Sequence, residues 1–73
     1  QKNTKVFRDA EAAIQNGVIS DSERTLILSK LKDFELAVDS QTKSKKYHEL
    51  ITSAANHITI LAPFIPAFSQ LLQ

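Results

Sequence analysis

The chain contains no cysteine, one glycine and two prolines. Without cysteine there is no disulfide, no thiolate metal site and no nucleophilic thiol. One glycine leaves no glycine-rich turn, and with two prolines it supplies few of the turns that β-hairpins need. No stretch alternates apolar and polar residues at useful length, so strands are not expected. The most informative absence is charge. Every Lys, Arg, Asp and Glu lies at or before Glu49, and residues 50–73 carry none. So long a surface without charge is unusual, so this stretch must be buried, face a partner or touch a membrane.

What is present bounds the answer further. Seventy-three residues make one domain. A chain of this size buries only about 60% of its unfolded surface, which leaves its stability marginal unless helices pack well or copies associate. The net charge of +1 implies no electrostatic partner. The middle segment is mildly acidic and its neighbours mildly basic, a pattern that suits helices packing side by side better than a nucleic-acid footprint. The chain opens on Gln1, shows no signal-peptide pattern and stops at Gln73 after an apolar pair. The expectation is a single helical domain over residues 1–73, cut from a longer chain.

Apolar spacing predicts the elements. Val6, Ala10, Ala13 and Ile14 mark one face of a helix over Lys5–Asn16, capped by Asn3 or Thr4 and closed by Gly17 in the left-handed conformation. Ser20 and Glu23 match a capping box, with Asp21 and Glu23 suiting the positive end of the helix dipole. The helix they open should run to Val38 or Asp39. Its stripe is Ile27, Leu31, Phe34 and Val38, widened by Leu26, Ala37 and Leu28. So wide an arc makes this the central helix, touching two neighbours. Leu36 lies off the stripe and is expected at the surface.

A loop is expected at Asp39–Thr42, then one long helix starting near Thr42–Ser44. Its face is Tyr47, Leu50, Ile51, Ala54, Ile58 and Leu61, and Pro63 ends it. Pro66 fits the first turn of a short terminal helix. The apolar side of that helix is Phe64, Phe68, Leu71 and Leu72.

The candidates for chemistry are few. His48 and His57 fall nine residues apart on opposite sides of the expected helix, so they cannot share a metal ion, and no metal or cofactor is expected. Ser53 and His57 are spaced for a hydrogen bond. They lack an orienting acid and an oxyanion site, because no acidic residue follows Glu49. Asp9/Glu11, Asp21/Glu23 and Asp33/Glu35 are each two apart and diverge on a helix, which fits solvated faces. Lys43, Lys45 and Lys46 form a short basic cluster with only Tyr47 as aromatic company. That is too little for nucleic-acid binding.

These observations predict an all-α fold: a small antiparallel bundle of three main helices in up-down-up order, plus a short C-terminal helix after Pro63. They predict no enzyme. The expected role is a protein-interaction or oligomerisation module, with a protein partner or a second copy of the chain as its target. Leu36, Phe64, Ile65, Phe68, Leu71 and Leu72 are the expected surface, because these apolar groups exceed what one short helix buries and no charge guards them. The alternative is a membrane-proximal or membrane-surface-binding helical domain.

Overall fold

The computed structural model describes the backbone of residues 2–72 and the side chains of residues 5–72. Its helices are α1 (Lys2–Asn16), α2 (Asp21–Leu36), α3 (Ser40–Ser53), α4 (Ile58–Leu61) and α5 (Ile65–Leu71), with 3₁₀ turns at Ala55–His57 and Ala62–Phe64. Among the described residues there is no strand, and the architecture is a small all-α bundle. The first three helices alternate in direction. Phe34 meets Tyr47 and Lys30 meets Glu49, so moving back along α2 moves forward along α3. The Phe7–Phe34 contact likewise sets the start of α1 against the end of α2.

Each junction has a local cause. At α1–α2, Ser20 sits in extended backbone and its Oγ accepts the Glu23 N–H at 3.3 Å, as the capping box requires. The return half differs from expectation. Ser20 Oγ–H donates to Glu23 Oε1 at 3.0 Å, and the same oxygen also receives His57. Arg24 occupies the position where a hydrophobic staple would stand. Its guanidinium folds back instead, donating to the carbonyls of Gly17 (3.1 Å) and Ile19 (3.2 Å) and pairing with Asp21 at 2.7 Å. Arg24 thus satisfies two carbonyls of the α1–α2 connection.

Gly17 corrects a second expectation. Its φ is not in the left-handed region. Glycine is used there for space: a Cβ would lie 2.6 Å from Ile60 Cδ1 and 3.2 Å from the Ala13 carbonyl oxygen. Helix α1 begins at Lys2, earlier than the expected Lys5, so Asn3 and Thr4 lie within it and do not cap its start.

The core is contributed by every α-helix. Phe7, Ala10, Ile14, Ile27, Leu31, Phe34, Leu50, Ala54, Leu61 and Phe68 are buried, and no polar or charged residue among those described joins them. On α1 the buried residues are Phe7, Ala10 and Ile14; Ala10 and Ile14 are as expected, while Val6 and Ala13 of the expected face are only half-buried and Phe7 joins the core instead. On α2 the stripe Ile27, Leu31, Phe34 is as expected, but it stops there. The helix ends at Leu36, Ala37 turns extended (ψ 139°), and Val38 is 88% exposed. Leu26 is also exposed. The third helix begins earlier than expected, at Ser40, because Asp39 caps it: Oδ2 accepts the Thr42 N–H at 3.0 Å.

The largest difference lies after Ser53. A single long helix to Pro63 is expected, yet the chain breaks at Ala54 and the segment beyond it turns by 68°. The Ala54 N–H is shared between Leu50 O (3.0 Å) and Ile51 O (3.2 Å), and His57 N–H tightens onto Ala54 O at 2.8 Å. The i→i+3 bonds mark a 3₁₀ turn. Two features favour the break here: Asn56 is a weak helix former, and the His57 side chain is tied to α2. The bend brings α4 and α5 back across the first three helices instead of projecting them outward. The Cα radius of gyration of 11.2 Å equals the value of about 11 Å for a compact 73-residue domain, so the terminal segment adds no extension.

Candidate interaction surface and the His57 junction

The expected surface divides on inspection of its members. Phe68 is fully buried and is not a contact residue for a partner. Its ring lies 5.7 Å from Phe7, 5.4 Å from Phe34 and 6.2 Å from Tyr47, with edge-to-face geometry to the last two. One side chain of α5 therefore touches α1, α2 and α3 at once. The expectation counted Phe68 among apolar groups that exceed what one short helix buries. In fact the core is open at this end until α5 fills it. Phe64, Leu71 and Leu72 are half-buried and packed on the same cluster, and Ile65 is half-buried.

Leu36 is 67% exposed, as its place off the stripe predicts. Val38, two residues on, is exposed still further and was assigned to the core by its spacing; the early end of α2 reverses that assignment. The Phe34–Phe68 contact places α5 at the end of the bundle where α2 finishes, and Leu36 and Val38 emerge at that end. The exposed side chains of residues 50–72 include Thr52, Asn56, Thr59, Pro63, Pro66, Ser69 and Gln70, all uncharged. Val18, in the α1–α2 turn, is a further exposed apolar residue outside this region.

A second arrangement joins residues far apart in sequence. His57 Nε2 lies 3.1 Å from Glu23 Oε1, linking the break after α3 to the first turn of α2. A carboxylate only accepts, so this nitrogen carries the proton. The bond from His57 first, and that from Ser20 second, hold the Glu23 carboxyl below its ordinary value of 4.5. At the next junction, bonds from Thr42, side chain first and backbone N–H second, hold Asp39 below its ordinary 3.8.

The Ser20–Glu23–His57 chain is not a nucleophile–base arrangement. The carboxylate stands between the hydroxyl and the imidazole, so the imidazole does not contact the hydroxyl whose proton it would have to take. The Ser53–His57 pairing that sequence spacing suggested does not form, because the break at Ala54 separates them and His57 turns to Glu23. His48 is exposed on α3, away from His57, and the described residues include no cluster of three potential metal ligands. Sequence reading could not pair Glu23 with His57, since that pairing depends on the bend. The Asp39 cap did have a signal, an Asp three residues before Thr42.

The fold and these contacts define a small all-α bundle whose terminal helix completes the core and itself carries no charged residue. No protein-family model matches the chain, and no curated protein and no solved structure shows significant similarity to it.

Proposed function

We propose that this chain is a non-catalytic helical module for protein interaction or self-association, acting through the apolar side chains of α5 together with Leu36 and Val38. The observation that carries the reading is the exposure of Leu36 and Val38 at the end of the bundle that α5 closes. Half-buried Phe64, Ile65, Leu71 and Leu72 extend this apolar ground, and α5 itself carries no charge, although exposed Glu35 and Asp39 flank Leu36 and Val38. Pro63 and Pro66 fix the path of the segment, which lowers the ordering cost of presenting these side chains. The functional use of His57 in a helix junction, and its separation from Ser53, support a binding role over a chemical one.

The test is mass against concentration. Sedimentation equilibrium from micromolar to millimolar chain should give an average mass rising above the 8.1 kDa of one chain. Leu36→Ser with Val38→Ser should lower it at unchanged helix content. A wild-type mass constant across that range, with the double variant indistinguishable in every binding assay, overturns the reading.

Membrane-surface contact is the second reading, favoured by the apolar, uncharged composition of residues 50–72. No single helix among the described residues is long and apolar enough to cross a membrane. The bent pair of α3 and residues 55–71 reaches the required composition together, and it includes Leu50, Leu61 and Phe68, which are fully buried in the core. Co-sedimentation with neutral and anionic vesicles separates the two readings: binding to vesicles by a chain that stays monomeric favours the membrane.

A further inference from the structure

The basic cluster at the start of α3 borders a groove whose lining includes no residue of α5. The α3 positions Lys45, His48, Glu49 and Thr52 follow the i, i+3, i+4, i+7 spacing of one helix face. Together with Ser53 and with Lys30 of α2, they line an open groove of about 410 Å³. Glu49 is the only acid in it, and its carboxylate is shared: Lys30 stands at 3.6 Å and Lys46 at 3.8 Å from the same oxygen. Both distances are long for an ion pair, and one carboxylate neutralises only one of two ammonium groups. Lys45 and His48 make no hydrogen bond or ion pair within the described residues, and both are exposed. The groove therefore carries an excess of positive charge with unspent donors.

Its shape narrows the ligand. From Lys45 to Thr52 the wall runs nearly two helical turns, about 10 Å at 1.5 Å per residue. Most of the groove's lining is apolar, and lysine stems of this kind bury their methylenes on such a surface while their heads stay in water. A compact phosphate site would instead need converging backbone N–H groups or an arginine fork, and neither borders this groove.

We propose that the groove between Lys30 and the outer face of α3 docks an acidic peptide segment of a partner protein. Its carboxylates pair with Lys45 and Lys30, its apolar side chains lie on the lysine stems, and the Thr52 and Ser53 hydroxyls and His48 bond its backbone. The charge complementarity of the groove selects this occupant. The site is independent of the α5 end, and either can fail without the other.

The experiment uses the ¹⁵N-labelled chain. The probe is a decapeptide of alternating Glu and Leu, with a Lys/Leu decapeptide, inorganic phosphate and phosphatidylserine vesicles as comparison arms. The Glu/Leu peptide should shift the amide resonances of Lys30 and of residues 45–53, and its affinity should fall as salt rises. Lys45→Glu replaces an attraction with a repulsion and should weaken binding at least about tenfold. Lys32→Glu makes the same change in net charge on an exposed site outside the groove and should leave affinity within about twofold. Circular dichroism of both variants, in which an exposed lysine is replaced, checks that the fold persists. Shifts that map elsewhere, equal losses in both variants, binding of the Lys/Leu peptide, or response to vesicles or phosphate without response to the acidic peptide would each overturn the proposal.

Discussion

At the scale of the residue, the central question is which side chains the bundle cannot lose. Leu31 and Phe34 sit in the middle of α2, where its buried stripe faces both neighbours. Truncation removes transfer energy and leaves a cavity, so Leu31→Ala and Phe34→Ala should each cost about 2–5 kcal/mol. Chemical denaturation should read that loss, and a loss under about 0.5 kcal/mol at both sites would remove them from the core. Gly17 supplies a finer test. Its backbone tolerates a side chain, so alanine should gain about 0.4–1 kcal/mol by restricting the unfolded chain. Against this, the new methyl meets Ile60 Cδ1 at 2.6 Å. Overpacking typically costs about 1–3 kcal/mol, so Gly17→Ala should destabilise. Ile60→Val removes the clashing carbon, and in that background the same change should become neutral or stabilising. A double-mutant cycle with no coupling would disprove the steric role of this glycine.

At the scale of the element, helix ends do much of the specifying. Ser20→Ala deletes an acceptor for the Glu23 N–H and should cost about 0.5–2 kcal/mol, read as a lower melting temperature. The two helix starts also make an acid-sensitive pair. Glu23 and Asp39 both have carboxyls held below their ordinary values in the folded state. Each therefore contributes stability that is complete above its unfolded value, 4.5 for Glu23 and 3.8 for Asp39. That contribution is lost as pH falls further, through the lowered folded value. Stability should decline on acidification below about pH 4.5, and Glu23→Gln with Asp39→Asn should flatten the decline. Urea midpoints measured from pH 6 to pH 2 check it, and a double variant with an unchanged slope would show that other carboxylates set the limb. The caps were legible in the sequence wherever donor and acceptor are three residues apart, as at Ser20 and Glu23. The end of α2 was less so, because apolar Val38 continued the period and concealed a helix that stops at Leu36.

At the scale of the whole molecule, α5 is the element that closes the fold. Phe68 is the one side chain of α5 whose ring meets rings from α1, α2 and α3. Phe68→Ala should cost about 3–5 kcal/mol, a large share of the stability of so small a domain. It should broaden or abolish the cooperative thermal transition. Leu72→Ser, at a half-buried position on the same segment, should leave the transition sharp while altering surface association. Equal effects of the two would contradict the division between core and surface drawn for this helix.

The sequence by itself determined the all-α class, the three first helices, the Ser20 cap, the buried stripe of α2, the proline-bounded terminal helix and the exposure of Leu36. These rest on periodicity, capping and proline sterics, which act within a few residues. Tertiary structure alone decided the break at Ala54–His57, the burial of Phe68, the entry of Phe7 into the core, the Gly17–Ile60 approach and the groove shared by Lys30 and α3. Each of these depends on groups far apart along the chain. Ala54 to His57 carry no proline or glycine to announce a bend. The chain turns there because turning lets Leu61 and Phe68 bury against the first three helices and lets His57 reach Glu23. A straight helix would have kept its local hydrogen bonds and left those apolar side chains in water.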